Sequence, residues 1–366
     1  MVRTLEAALG LLIAAECAAN ALWRGIVVSP DSRFFIKVAD AMLRHQWRTV
    51  PNKLPVIVYT VLPLLIVAAK TIAPAKWPLL IVLVSALATA CAGVLAFRLA
   101  WRHIGAIGGA IVAAGFLLGS DIVDWSRYIL TDSLYLGMAM LAIYLMIEAV
   151  ARQAPRYAWA AGGVIAVALL TRPTAPHLLV PFVFTLAAMR RPTKLRRWTI
   201  GFAIALPFVL LAAVAVLAFL AQRPVDARRT GFLLDLYRHG VVIVGRPETW
   251  TQGGSGFVPF LRTLLHRLGA FFSITAQGFS RRHTIVAALY YVPLYAAAAV
   301  GIVTLFVRRS AEIVPCLAFV ALCTIWIAQA LIIIDYDWRY RLPALPLLLL
   351  LAAYGVKLGS HLENTT

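Results

Sequence analysis

Charge is scarce in this chain, and acid is scarcer than base. Only 13% of its 366 residues are charged, with 15 Asp or Glu against 34 Lys or Arg, while 62% are hydrophobic. Soluble domains carry about 25% charge, so a soluble, disordered or fibrous protein is excluded. Cysteine is equally confined. Cys17, Cys91, Cys316 and Cys323 all lie within apolar runs, which argues against a disulfide scaffold or a Cys-based metal site. Alternating apolar and polar segments are missing, which removes an outer-membrane barrel. The HExxH, GxSxG, Walker and Rossmann signatures are missing too, so metalloprotease, serine hydrolase, NTPase and dehydrogenase readings lack support. The absence of an internal repeat weakens a lipid or solute transporter built on inverted repeats.

What is present is a series of long apolar runs, and these define an all-α polytopic membrane protein. The formal charge of +19 would suggest nucleic acid in a soluble protein. Here it is read as Arg-rich loops that set topology, with the remainder facing anionic lipid or phosphate; no nucleic-acid partner is expected.

A span needs roughly 20 apolar residues. Candidate runs lie at 5–28, 54–73, 78–98, 104–120, 133–151, 157–171, 174–189, 198–221, 284–307, 313–334 and 342–358. The first resembles a signal peptide behind Arg3, but its length and the interruptions at Glu16 and Asn20 predict an uncleaved span. Between the runs, short loops carry Arg98 and Arg102, Arg152 and Arg156, Arg190 to Arg197, and Arg308 and Arg309. Every aspartate falls elsewhere, at Asp31, Asp40, Asp121, Asp124, Asp132, Asp226, Asp235, Asp335 and Asp337. The positive-inside rule puts the Arg loops in the cytoplasm and the aspartates outside. Segment 54–73 carries Pro55, Pro63 and a deep Lys70, so it is read as re-entrant or surface-lying. That gives about ten crossings with both termini cytoplasmic. If 54–73 crosses, there are about eleven, and loop 29–53 moves to the opposite face.

The expected organisation is a single transmembrane domain over 1–366. It includes a first extracytoplasmic loop with a surface helix at 29–77, and a large extracytoplasmic loop at 222–283. Within the latter, Phe257, Phe260, Leu261, Leu264, Leu265, Leu268, Phe271 and Phe272 follow helical spacing. Arg262, Thr263, His266 and Arg267 lie opposite, the pattern of an amphipathic interfacial helix.

Four loops hold residues able to do chemistry. Asp31 sits in Ser29-Pro-Asp-Ser-Arg-Phe-Phe35, either as a carboxylate facing a cavity or as a cap for the following helix. Lys53, between Pro51 and Pro55, either aims its ammonium or snorkels. Asp121-Ile-Val-Asp-Trp-Ser-Arg127-Tyr128-Ile-Leu-Thr-Asp132 mixes acids, Arg and aromatics, with Thr131 or Asp132 as an alternative helix cap. Arg172 lies between two apolar segments, where it needs a partner, be it a ligand, an acid or helix-end carbonyls. Asp335-Tyr-Asp-Trp-Arg339-Tyr340-Arg341 sets arginines among aromatics, which suits a phosphate at the interface or a simple aromatic belt. Acids, a Lys and several Arg beside lipid suit transfer of a group from a lipid phosphate. An acid deprotonates the acceptor hydroxyl and cations stabilise the departing phosphate.

With these residues in view, the chain resembles the C-type membrane glycosyltransferases (GT-C fold), especially the bacterial branch around aminoarabinose transferase and protein O-mannosyltransferases. Asp31-Ser-Arg-Phe-Phe with Ala39 and Leu43 is similar to the first-loop acidic motif. Asn52-Lys53-Leu-Pro55 resembles the Lys-Pro motif before a surface helix. Ser126-Arg127-Tyr128-Ile-Leu-Thr-Asp132, Leu169-Leu-Thr-Arg172-Pro-Thr174 and Arg339-Tyr340-Arg-Leu-Pro-Ala-Leu-Pro346 resemble the later signatures, in order. The resemblance implies a polyprenyl-phosphate-linked sugar donor, a lipid, glycan or protein acceptor, and inversion at the anomeric carbon in the bacterial inner membrane. It implies Asp31 as general base, and Lys53 and Arg339 on the donor phosphate. Arg127, Tyr128, Asp132, Arg172 and Tyr340 would line the substrate site, and Asp31 with Asp132 is the candidate pair for a divalent metal. Ser32 stands where relatives commonly have a second acid, and a large C-terminal periplasmic domain is missing. The alternatives are a transporter, or an O-antigen-ligase-like enzyme with a diphosphate donor, whose weight would fall on 222–283 with His239 and His266.

Overall fold

The computed structural model describes residues 1–46, 59–222, 257–274, 280–307, 312–332 and 338–362. Lys53, His239, Asp335 and Asp337 lie outside them. Regular structure among the described residues is helical: α1 (Val2–Arg24), α2 (Pro30–Leu43), α3 (Val61–Ile72), α4 (Trp77–His103), α5 (Ala106–Leu118), α6 (Ser120–Ser126), α7 (Asp132–Arg152), α8 (Pro155–Leu169), α9 (Leu179–Arg190), α10 (Leu195–Gln222), α11 (Phe257–Ala270), α12 (Arg281–Val307), α13 (Ile313–Ile332) and α14 (Leu345–Leu362). Short 3₁₀ turns occupy Ala175–Leu178, Pro192–Lys194 and Trp338–Ala344. Among the described residues one parallel β-bridge joins Val27 to Tyr128.

Seven helices among the described residues are long and apolar enough to cross a membrane, or eight if the bent pair α5–α6 counts as one span. The expectation of about ten crossings counted shorter runs as well. α3 has 12 residues, α8 has 15 and α9 has 12, each short of the length a straight span requires. α5 stops at Gly119, where the chain turns by 53° into α6.

Most of the long helices share one large apolar core, with smaller clusters around α2 and α3 and around α11, and α1 and α4 run antiparallel. Glu6 of α1 pairs with Arg98 of α4, and Ile13 lies against Gly93, so the end of α1 and the start of α4 share one end of the bundle. α3 runs beside α2 between them, with Phe35 on Tyr59 and Asp40 paired to Lys70. α12 and α14 touch most closely at glycine. A Cβ on Gly301 would collide with the Leu351 carbonyl oxygen, and one on Gly355 would lie 2.6 Å from that of Ala297. Small residues permit such approach where lipid offers no hydrophobic drive for packing.

The two ends of the bundle differ in their acids. One end carries Glu6, Glu148 and Glu312, paired with Arg98, with Arg102 and Arg152, and with Lys357 respectively. The other carries Asp31, Asp121, Asp124 and Asp132, paired with Arg339, Arg341, Arg127 and Arg172.

The helix expected at 257–272 forms as α11, but its polar side is not wholly exposed. Arg267 is buried and donates to the Ala330 carbonyl at 3.2 Å, while Leu265 is exposed. Leu261, Leu264 and Leu268 pack with Leu210 of α10 and Ala330 of α13, and the Trp326 indole donates to the Leu268 carbonyl at 2.9 Å. An amphipathic pattern reports one apolar face; here the packing against α13 also covers part of the polar one.

Candidate active site

The residue before α2 settles which group caps that helix. Ser29 is the N-cap: its hydroxyl accepts from the Ser32 amide at 3.2 Å, and the Ser32 hydroxyl accepts from the Ser29 amide at 3.0 Å. This reciprocal pair satisfies the helix start and leaves the Asp31 carboxylate unused by the cap. Asp31 turns instead to Arg339, whose Nη1 lies 2.9 Å from Asp31 Oδ2. The Asp31 side chain is 53% exposed and that of Arg339 15%.

Arg339 sits on the Trp338–Ala344 turn and uses two nitrogens. The second, Nη2, donates to the Tyr340 hydroxyl at 2.8 Å, and the guanidinium stacks over the Tyr340 ring at 4.8 Å. Arg172 also lies over the Tyr340 ring, at 5.1 Å from its centroid, and 5.9 Å from that of Tyr135. Arg172 donates to Asp132 through Nη1, and both side chains are nearly inaccessible, at 6% and 4% exposed. Thr131 is the N-cap of α7 but makes no side-chain cap bond, so the Asp132 carboxylate, like that of Asp31, serves an arginine instead of its own helix. The buried cation thus has an acid for a partner, as its position demands.

Tyr59, just before α3, completes the assembly. The Val61 amide donates to the Leu170 carbonyl at 3.2 Å, which ties the start of α3 to the Arg172 turn. Burial pushes the Tyr59 hydroxyl up to about 12, against the opposing pull of Arg172. It stays protonated at neutral pH and is available as a hydrogen-bond donor.

Asp31, Asp132, Arg172, Arg339 and Tyr340 therefore come together from four loops. Arg127 and Tyr128 stand in an adjoining brace. Arg24 and Arg127 both donate to Asp124 Oδ1, at 2.6 and 2.8 Å, and Tyr128 stacks on Trp125 at 4.7 Å. The Val27 amide donates to the Arg127 carbonyl at 3.1 Å and the Ile129 amide to the Val27 carbonyl at 3.2 Å, so the brace fixes the loop that leads to Asp31.

The residues suit an anionic ligand better than a cation. Each acid of the candidate metal pair is engaged by a guanidinium, and the described residues bring together no group of three His, Cys, Asp or Glu able to hold a metal ion. A divalent ion would compete for both carboxylates with permanent positive charge beside them.

The sequence reading missed Tyr59 and a second buried cluster around Asp121. Arg341, read from the sequence only as one of the arginines among aromatics, is buried against Asp121, Tyr291 and Tyr295. Asp121 stands in the same acid-rich loop as Asp132, which was the available signal. Tyr291 lies inside an apolar run and gave none.

The chain matches the family model described as dolichyl-phosphate-mannose-protein mannosyltransferase over residues 54–219. No curated protein and no solved structure matches it. The family match, taken with the helical membrane architecture, supports a GT-C-like membrane glycosyltransferase. The matched stretch holds Arg127, Asp132 and Arg172. Asp31 and Arg339 lie outside it and join the others through the fold.

Proposed function

We propose that this glycosyltransferase moves a sugar from a polyprenyl-phosphate donor to an acceptor hydroxyl at the aspartate-bearing end of the bundle. The observation that carries the reading is the contact of Asp31 with Arg339 beside the buried Asp132–Arg172 pair, a carboxylate and cations meeting where loops leave the membrane. Asp31, the more exposed acid, takes the acceptor proton. The acceptor oxygen attacks the anomeric carbon from the face opposite the phosphate, the bond from that carbon to the phosphate oxygen breaks, and the configuration inverts. The proton ends on Asp31, and the lipid phosphate leaves with added negative charge.

Arg339 and the Tyr340 hydroxyl meet that charge, with Lys53 as a further cation. Such groups help most when charge grows during the reaction, because they then stabilise the transition state more than the ground state. Arg172, held by Asp132, contributes its field and, like Arg339, lies over the Tyr340 ring. The donor phosphate competes with Asp31 for Arg339, so its arrival frees the base.

Orientation follows from the loops. Short Arg-rich connections lie at the glutamate-bearing end, which the positive-inside rule assigns to the cytoplasm. Segment 54–73 is then a non-crossing element of the first loop, a reading supported by the shared level of the α1 end and the α4 start. The site faces outward in a bacterial inner membrane, with both termini cytoplasmic.

Mass spectrometry of lipids that co-purify with the protein tests the donor. A polyprenyl monophosphate species is expected. A polyprenyl diphosphate in its place would transfer the reading to an O-antigen-ligase-like enzyme, and loss of neither sugar transfer nor lipid retention in Asp31→Asn and Arg339→Ala would overturn the site.

A further inference from the structure

The turn that presents Arg339 is anchored from behind. Trp338–Ala344 is a 3₁₀ turn with about three residues per revolution, so side chains two apart leave on different faces. Arg339 leaves toward Asp31. Arg341 leaves toward α6 and α12, where its side chain is 3% exposed. Its Nη2 lies 3.3 Å from Asp121 Oδ2, its Nη1 donates to the Ser273 carbonyl at 2.7 Å and the Tyr295 hydroxyl at 3.0 Å, and the guanidinium lies over the Tyr291 ring at 3.7 Å. The Tyr291 hydroxyl donates to the same Asp121 oxygen at 2.6 Å. Three separate parts of the chain thus hold one guanidinium: α6, α12 and the residues after α11. The next residues of the turn, Leu342 and Ala344, are fully buried.

We propose that Asp121 is a positioning residue that acts through Arg341 to set where Arg339 holds the donor phosphate. The proposal rests on the reading of Arg339 as a phosphate ligand. Asp121 touches no substrate itself. It balances the buried charge of Arg341 and orients both Arg341 and Tyr291, and the turn is pinned as a result. Loss of its charge removes the ion pair by which α6 holds Arg341, and the turn relaxes with Arg339 on it. Displacement of a ligating group by about 1 Å is enough to cost up to 10²-fold.

The test is a double-mutant cycle on the full-length protein in lipid nanodiscs, with binding of a polyprenyl monophosphate read by native mass spectrometry. Asp121→Asn, Arg339→Ala and the double variant are compared at matched thermal stability. Asp121→Asn is expected to weaken binding about 10-fold, Asp121→Glu to recover part of it, and the double variant to bind within about 2-fold of Arg339→Ala alone. A merely structural role would give additive losses, and additivity overturns the proposal while leaving the phosphate reading intact. Wild-type binding by Asp121→Asn does the same. Wild-type binding by Arg339→Ala instead overturns the phosphate reading, and the proposal with it. If Asp121→Asn fails to fold, Tyr291→Phe removes one bond to Asp121 and is expected to weaken binding about 3-fold; unchanged binding there overturns the proposal.

Discussion

Neutralising Asp132 separates a folding role of the buried ion pair from a chemical one. Asp132→Asn keeps the shape of the side chain and removes its charge, which leaves the Arg172 cation buried without its counter-charge. Both side chains are under a tenth exposed, so water offers little relief. Breaking one side of such a pair costs about 3–5 kcal/mol, a shift of roughly 10²- to 10³-fold or more in the folding equilibrium. The stacking of Arg172 on Tyr135 and Tyr340 remains, which favours the lower end of that range. The assay is tryptophan fluorescence during heating of the purified protein in detergent micelles, at one fixed scan rate because membrane-protein unfolding is commonly irreversible. Asp132→Asn should unfold several degrees below the wild type. The double variant Asp132→Leu/Arg172→Met, apolar and similar in volume, should recover most of that loss, since buried pairs are often replaceable without cost to stability. It should remain inactive in sugar transfer. Unfolding of Asp132→Asn together with the wild type would refute the reasoning, because the pair would then contribute nothing to the fold.

Asp31→Asn should lower glycosyl transfer by about 10²–10⁴-fold with its thermal profile unchanged, measured as product formed per inserted protein. Arg339→Lys should lose much of the donor binding despite its charge, because Arg339 spans Asp31 and Tyr340 with separate nitrogens and an ammonium cannot; Arg339→Ala should lose more. Lys53→Ala should weaken donor binding, with Lys53→Arg partly active, in the same binding measurement. In a background where the exposed Cys91 is replaced by Ser, an impermeant thiol reagent added outside should label Arg33→Cys and Arg281→Cys, and Arg156→Cys only after permeabilisation; protection of Arg33→Cys would put the first loop on the other side.

The sequence was most informative where physics acts along the chain. Apolar runs marked the long helices, and the segregation of Asp from short Arg loops anticipated which residues share one end of the bundle. Arg172, a charge between apolar segments, announced that a partner had to exist, but its identity as Asp132 was a matter of three-dimensional packing. The capping of α2 by Ser29 and Ser32 was open to reading from Ser-x-x-Ser spacing, and it decides that Asp31 is not a cap. Tyr59 and Tyr291 were invisible because an aromatic in an apolar stretch looks the same whether it fills space or bonds an acid. The short helices α3, α8 and α9 show the limit of counting spans by hydropathy: burial against neighbouring helices and exposure to lipid favour the same residues.

The contact between Asp31 and Arg339 joins residues 308 positions apart. A ribosome at 5–20 residues per second therefore inserts nearly all of the protein before this pair exists. Until the last helix settles, through the glycine contact of α12 with α14, the emerging polypeptide holds its acid without the cation that answers it. On the function proposed above, a nascent or C-terminally clipped product therefore carries the base without the cation for the donor phosphate. Competence arrives as a single late event of assembly, and a copy supplied as two co-expressed pieces, cut between α11 and α12, should regain it only when both pieces are present.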